Sequence, residues 1–444
     1  MKTASQNATG QERPISLHSE IKLAEESFLT DDLLRQLINV GEVDILVGLP
    51  THNNSKTVGL ILQQIQSGIL RWFPRERVAI INVDAGSRDG TPELVTGISI
   101  DDAHRDSNLY ALRTLHSIST QYSNHTASGG ALRIILSAAE LMRAKACVVM
   151  SPQSSNVEPE WLSKLLIPIY RDGVDFVAPT YRRHKFEGIL VTNLLYPMSR
   201  AVYGVRIREP YATEFGFSGR LGSQFLAQTS WESGTESSDL DLRFTLAAIT
   251  GRYRLAEAFL GGKDHVERRA ADLVPALRQT VGSLFSALEP DFPFWSVASG
   301  SHPVATAGAA SEYTLEPLRV NRKRLREMFS NGVVELDSVF QSILSPSTLE
   351  ELKQIAVLGE DDFRYPAELW VKTVYEFAAA YHQSVINRDH IIQALAPLFR
   401  GRAFTFLVEN RNSSADLVEN NIENLCLEFE RLKPYLLQMW NGGK

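Results

Sequence analysis

Two stretches decide the fold: residues 43–54, VDILVGLPTHNN, and residues 78–91, VAIINVDAGSRDGT. Each begins as a short unbroken apolar run, 43–49 and 78–83, without the alternation of a half-exposed strand. Continuous runs of that length suit strands buried on both faces of a parallel sheet. Turn formers follow each run: Pro50-Thr51-His52-Asn53 after the first, Asp84 through Gly90 after the second. Between them Val58, Ile61, Leu62 and Ile65 recur on one helical face. The order strand, helix, strand predicts a parallel pair with a covering helix.

The same alternation extends outward. Residues 129–143 read as an amphipathic helix, 146–150 (ACVVM) as a third buried strand, 161–170 as a helix and 175–178 as a fourth strand. This predicts an α/β fold with a mostly parallel sheet covered on both faces. Residues 237–250 read as a helix and 253–259 as a strand. From about 268 the chain reads almost entirely as helix: 270–288, 320–328, 347–355, 367–384, 388–398 and 415–440. The domain reading is a polar, disordered leader over 1–17 and an N-terminal helical segment over 18–40, with Thr30 as a helix cap. An α/β domain spans 41–290, a Ser-, Gly- and Ala-rich linker 291–311 and a helical domain 312–444.

With 44% hydrophobic and 22% charged residues, the 444-residue chain can bury a large core, which excludes a disordered chain or a coiled-coil rod. A net charge of −7 argues against binding nucleic acid through the overall field. Two cysteines, Cys147 and Cys426, make neither a disulfide framework nor a zinc site. The N-terminus lacks the apolar stretch of a secretory signal, and no apolar run is long enough for a membrane span. A cytoplasmic location is expected.

Ligands of open parallel sheets bind beyond the carboxyl ends of the strands. Asp84 stands at such an end and can accept hydrogen bonds from a base or ribose, with Gly86 letting backbone come close. The same residues serve equally well as a tight turn that bonds its own backbone. Both readings stay open on the residues alone.

Taken together, VGLPTHNN and INVDAGSRDGT resemble the nucleotide-sugar domain of family 2 type glycosyltransferases with the GT-A fold. That pattern is a strand, Pro-Thr-x-Asn, then a second strand ending in Asp-x-Gly-Ser-x-Asp-Gly-Thr. Further stretches resemble one branch, the retaining enzymes that make mannosylglycerate and glucosyl-3-phosphoglycerate. They are DFVAPTYRRHKFEG from Asp175, YPMSRAVYGVRIREPYATEFGFSG from Tyr196, and DLDLRFTLAAITGRYRLAEAFLGGKDH from Asp239. The likeness spans most of 40–290 and implies a GT-A domain with a helical C-terminal extension. It also implies transfer of a hexose from a nucleoside diphosphate sugar to a small acidic acceptor or a glycan.

By this resemblance, Pro50, Thr51, Asn53, Asp84 and Gly86 border the nucleotide, and Asp241 sits under the sugar as the catalytic candidate. His265 completes a metal site, and Thr213 and Glu214 lie near sugar or acceptor. Arg182, His184 and Lys185 are candidates for an acidic acceptor, since an Arg fork suits a carboxylate or phosphate. Residues 182–185 read equally as a solvated basic loop, and His265 as an ordinary loop histidine. Trp161, Trp231 and Trp295 could stack on a sugar but are read as core.

Two departures concern the diphosphate. Where the family carries Asp-x-Asp after the third strand, this chain has Ser151-Pro152-Gln153, which removes two charges from the oxygen ligands of a divalent cation. Asp84, Glu158 and Asp264 are substitutes to consider. Where relatives often carry Gly-Lys-Gly, Ser128 replaces the Lys, and Arg133 supplies charge only if it points inward. The expectation is a weakly held Mg²⁺ or Mn²⁺, or none. Alongside an active transferase stands a second reading, a catalytically degenerate module that binds a nucleotide, sugar or partner protein. Whether the helical bundle packs on the α/β domain or makes a homodimer stays open.

Overall fold

The computed structural model describes residues 29–96, 115–121, 127–153, 156–228, 240–262, 273–308 and 322–442. In chain order the strands are β1 Ile45–Thr51, β2 Val78–Asp84, β3 Leu115–Gln121, β4 Ala146–Val149 and β5 Phe176–Arg182. They continue with β6 Val205–Arg206, β7 Phe215–Ser218, β8 Leu255–Gly262, β9 His302–Pro303 and β10 Ala305–Ala307. Eight of them form one sheet in the order β10-β8-β5-β7-β4-β1-β2-β3, while β6 and β9 pair separately. All neighbours in the large sheet run parallel except β7, which is antiparallel to β4 and β5. The α/β architecture with a mostly parallel sheet and a helical C-terminal part is therefore as the sequence predicts.

Two-sided burial explains the unbroken apolar runs. Along β1, Ile45, Val47 and Leu49 belong to one core and Leu46 to the other. Along β2, Val78 and Ile80 share the first core, and Ala79, Ile81 and Val83 the second. The first core is closed by the helices Val58–Trp72 and Glu160–Tyr170, through Ile61, Leu62, Ile65, Trp161 and Leu165. The second is closed by Ala127–Leu141, Leu240–Thr250 and the C-terminal helices. Each fully buried Val, Leu or Ile contributes about 1.5–3 kcal/mol. At Gly48 a side chain has no room, because its Cβ would fall 2.6 Å from Ile135 of the covering helix.

Several boundaries differ from the sequence expectation. β1 runs on through Pro50 to Thr51, both in register with β2. Pro50 is tolerated because β4 ends opposite Gly48, so on that side the imino nitrogen has no ladder partner to lose. β3, LHSISTQ, was not expected as a strand: it is an edge strand in which only Ile118 is buried. The stretch expected as a linker, 291–311, instead supplies the helix Phe292–Trp295, β9 and β10, and β10 joins the edge of the main sheet beside β8. The single helix expected over 415–440 breaks into Ala415–Arg431 and Lys433–Trp440, with Pro434 in the first turn of the second. Thr30 caps the helix Asp31–Val40 by accepting from the Leu33 N–H at 3.2 Å, as expected. The leader 1–17 lies outside the described residues.

The C-terminal helices pack on the α/β part. Arg200, wholly buried on the helix Tyr196–Tyr203, donates to both carboxylate oxygens of Glu423 at 2.5 and 2.7 Å and to Glu430 at 2.7 Å. Lys433 donates to the Val202 and Ala298 carbonyls. The Trp370 indole N–H donates to the Asn193 carbonyl, and Arg402 to the Asn193 side chain. The helix Arg388–Glu409 is long and apolar enough to cross a membrane, and 83% of its apolar window is buried inside this fold.

Candidate active site

A cavity of about 300 Å³ opens beyond the carboxyl ends of β1, β2 and β4. Pro50, Thr51 and His52 form its β1 side, Ala85 its β2 side, and Ser151 and Gln153 its β4 side. Thr213, Asp241 and the apolar Leu132 and Ile135 close it. From β1 the chain moves to β2 and β3 on one side, then returns to β4 on the other. The cavity thus lies at the point where the strand order reverses, the place where open α/β sheets bind ligands.

The two motif loops are fastened to each other. Asp84 is fully buried and accepts four hydrogen bonds: from the N–H groups of Gly86 (2.9 Å) and Ser87 (2.7 Å), and from the hydroxyls of Thr51 (2.9 Å) and Ser87 (2.6 Å). A carboxylate has about four lone-pair sites. Three are met by Gly86 and Ser87, and the fourth is shared, because the single Thr51 proton also faces Asn82 Oδ1 at 2.9 Å; Asp84 shapes the loop and is not among the residues that line the cavity. Gly86 allows this turn because its φ is +79°, and nothing crowds the place of a Cβ. Asn53, also left-handed at φ +54°, donates its N–H to Ser87 and accepts from the Arg88 N–H. It ties loop to loop and is not on the cavity wall. Beyond it, Asp89 accepts from Thr91 and from the Ser55 N–H, which holds its carboxyl well below the usual carboxylate range.

The remaining candidates divide. Thr213 lines the cavity and donates to Glu214 at 2.9 Å. Glu214 is fully buried behind it and also accepts from the Tyr181 hydroxyl at 2.5 Å. Asp241 stands in the first turn of Leu240–Thr250, where the helix dipole favours a carboxylate, and it faces the cavity at 7% exposure. Arg182, at the end of β5, and His184 are half-buried and off the cavity wall. Burial lowers the His184 pKa. Lys185 is turned away: it donates to the Arg411 and Ser413 carbonyls, at 2.8 and 3.1 Å, just beyond the end of the helix Arg388–Glu409. Its ammonium clasps the helical part. Trp161 and Trp295 are fully buried core residues, and His265, Asp264 and Trp231 lie outside the described residues. Sequence reasoning did not single out His52, Asn54 or Ala85 as wall residues. The signal was their position within the two quoted motifs.

A divalent cation of the Mg²⁺ or Mn²⁺ kind wants several oxygen ligands, and carboxylate charge raises its affinity. Among the described residues the wall offers one carboxylate, Asp241, beside the neutral Ser151 and Gln153. Glu158 is half-buried and off the wall. No three acidic, His or Cys groups converge anywhere among the described residues. The donor set described here does not fit such an ion.

Elsewhere in the sheet, Glu257 on β8 is buried with the Arg208 N–H donating to it at 2.6 Å. Burial pushes its pKa up to about 7, and Glu209 nearby adds to the rise. With the folded value above the unfolded one, the stability from the protonated form is full below about pH 4.5. It is lost as pH rises through about 7. Glu257→Gln keeps the acceptor and removes the charge. Urea unfolding at pH 8 should show the variant about 2–3 kcal/mol more stable than the parent, with the gap closing near pH 4.

Comparison with protein-family models finds no match, and comparison with curated proteins finds none. Among solved structures, the chain is similar to glucosyl-3-phosphoglycerate synthase from Mycobacterium tuberculosis in complex with Mn²⁺, UDP and glucosyl-3-phosphoglycerate. The identity is 20% and the TM-score 0.41, over 58% of this chain and 84% of that one. It is also similar to mannosyl-3-phosphoglycerate synthase from Rubrobacter xylanophilus, with 20% identity and a TM-score of 0.42, over 62% of this chain and 83% of that one. Likeness at that level does not extend to a substrate, a metal or a site residue.

Proposed function

We propose that this chain is a GT-A type glycosyltransferase that moves a hexose from a nucleoside diphosphate sugar to a small acidic acceptor or a glycan. The observation that carries the reading is the cavity beside the two motif loops at the strand-order reversal, with Thr51 and Asp241 both on its wall. In this reading the β1 and β2 loops border the nucleotide, and Asp241 sits under the sugar, where its carboxylate holds hydroxyls and stabilises positive charge developing on the ring. Arg182 remains a candidate for the acidic acceptor. The donor set of the described residues assigns no step to a metal ion.

A second reading is favoured by one specific observation. The β4 side of the cavity presents the neutral Ser151 and Gln153, where the sequence resemblance would put two carboxylates. On that reading the chain is a catalytically silent module that binds a nucleotide, sugar or partner protein through the same cavity. Incubation with UDP- and GDP-hexoses and carboxylate- or phosphate-bearing acceptors, with mass detection of product, separates the two. Glycoside formation by the parent and its loss in Asp241→Asn support the transferase. Ligand binding without turnover supports the module.

A further inference from the structure

Thr213 reaches the cavity wall at the end of a loop whose supports come from the helical C-terminal part. Two loops are involved: residues 182–188, which leave the carboxyl end of β5, and residues 206–213, which run from β6 to Thr213. The first is clasped by the helices. Lys185 Nζ donates to the Arg411 carbonyl at 2.8 Å, 226 residues away, and to the Ser413 carbonyl at 3.1 Å. Phe186 beside it packs on the apolar cluster of Phe406, Val418 and Ile422. The second loop meets the same helices, where Arg208 pairs with Glu419 at 3.0 Å. The two loops are also joined to each other. Arg183 pairs with Glu209 at 3.0 Å, their side chains 21% and 7% exposed. The contacts close a ring through both loops and the corner between the helices Arg388–Glu409 and Ala415–Arg431.

That corner is itself fixed. The Asn410 amide donates to the Phe406 carbonyl, and the Asn421 amide donates to Asn410, both at 2.9 Å. Ser414 caps the second helix by accepting from the Leu417 N–H at 3.3 Å. The carbonyls that Lys185 holds lie just past the end of the first helix, where the negative end of the helix dipole favours a cation. Arg208 and Glu419 meet at the surface and hold little by themselves, because water screens such a pair. The weight falls on Lys185, on Phe186 and on the mostly buried Arg183–Glu209 pair. We infer that the corner positions the Thr213 side of the cavity, with Lys185, Arg183 and Glu209 as positioning residues that act by fixing the two loops. The inference rests on the reading above only for the ligand; the coupling is a property of the chain alone.

The test is hydrogen exchange of the full chain, read by mass spectrometry over 182–188 and 206–213, in the parent, Lys185→Met and Lys185→Arg. Methionine keeps an unbranched apolar stem and removes the ammonium, while arginine keeps a cation with several donors. In Lys185→Met both segments should exchange about tenfold faster, and Lys185→Arg should stay close to the parent. The rise in 206–213 matters most, because it has to pass through Arg183 and Glu209. The Arg208 N–H, bonded to the buried Glu257, is its clearest reporter. Glu209→Gln should loosen 206–213 in the same way, so the result does not hang on one variant. Faster exchange confined to 182–188, or no change in either segment, overturns the inference. A Lys185 that touched the acceptor directly would give the second of these. In turnover with a nucleoside diphosphate hexose and an acidic acceptor, Lys185→Met should lower kcat/KM for the acceptor about tenfold and leave KM for the nucleotide sugar unchanged. Unchanged turnover beside loosened loops also overturns the positioning role. A parent without turnover overturns the transferase reading instead, and the exchange pattern alone then decides this inference.

Discussion

Asp84→Ala should destabilise the protein by about 3–5 kcal/mol, read as a lowered urea midpoint with little change in slope. The carboxylate stands at the end of β2 with no solvent exposure, and four donors converge on it. Removing it leaves two backbone N–H groups and two hydroxyls without their acceptor. Orphaned buried polar groups cost about 1–3 kcal/mol each, partly recovered where the Thr51 and Ser87 hydroxyls rotate. Asp84→Asn should cost less, because its amide oxygen still accepts while the NH₂ meets hydroxyls that can turn to receive it. A base-contacting Asp84 would behave differently, losing nucleotide affinity with stability intact.

The second large effect is a gain. Introducing carboxylates with Ser151→Asp and Gln153→Asp should raise Mn²⁺ affinity about 10²-fold, roughly tenfold per added carboxylate, as ligand charge tunes such sites. Both positions already line the cavity together with Asp241, so three carboxylates would share one wall. Without metal the clustered charges should lower the melting temperature, and added Mn²⁺ should restore it by mass action. Thermal melts of parent and double variant across a Mn²⁺ series check this. An equal response in both proteins would mean that the parent already holds a carboxylate set of comparable strength.

How much was legible in the sequence depends on how local each feature is. β1 and β2 were readable because burial on both faces leaves an unbroken apolar run, and Thr30 because its bond spans three residues. β3 and β10 were not, because edge strands need no such run: β3 is mostly half-exposed and β10 is three residues long and mostly exposed. Pro50 misled the end of β1, since proline argues against a ladder only where a partner is present. In the site, Thr51 and Asp241 could be named from motifs. The bonding of Asp84 could not, because it depends on side-chain directions in two loops about 30 residues apart. Lys185 was beyond reach for the same reason, its partner lying 226 residues away on the helical part. Composition gives no hint of such a clasp.

The account's central claim is that the cavity between the β1 and β4 ends is where the ligand binds. Parallel calorimetric titrations of the parent and of Asp241→Asn with UDP-glucose and GDP-mannose test it most directly. The account predicts saturable binding of one of them by the parent and at least tenfold weaker binding by the variant, with melting temperatures unchanged. Equal affinity in the two proteins, or no binding by the parent, would contradict it.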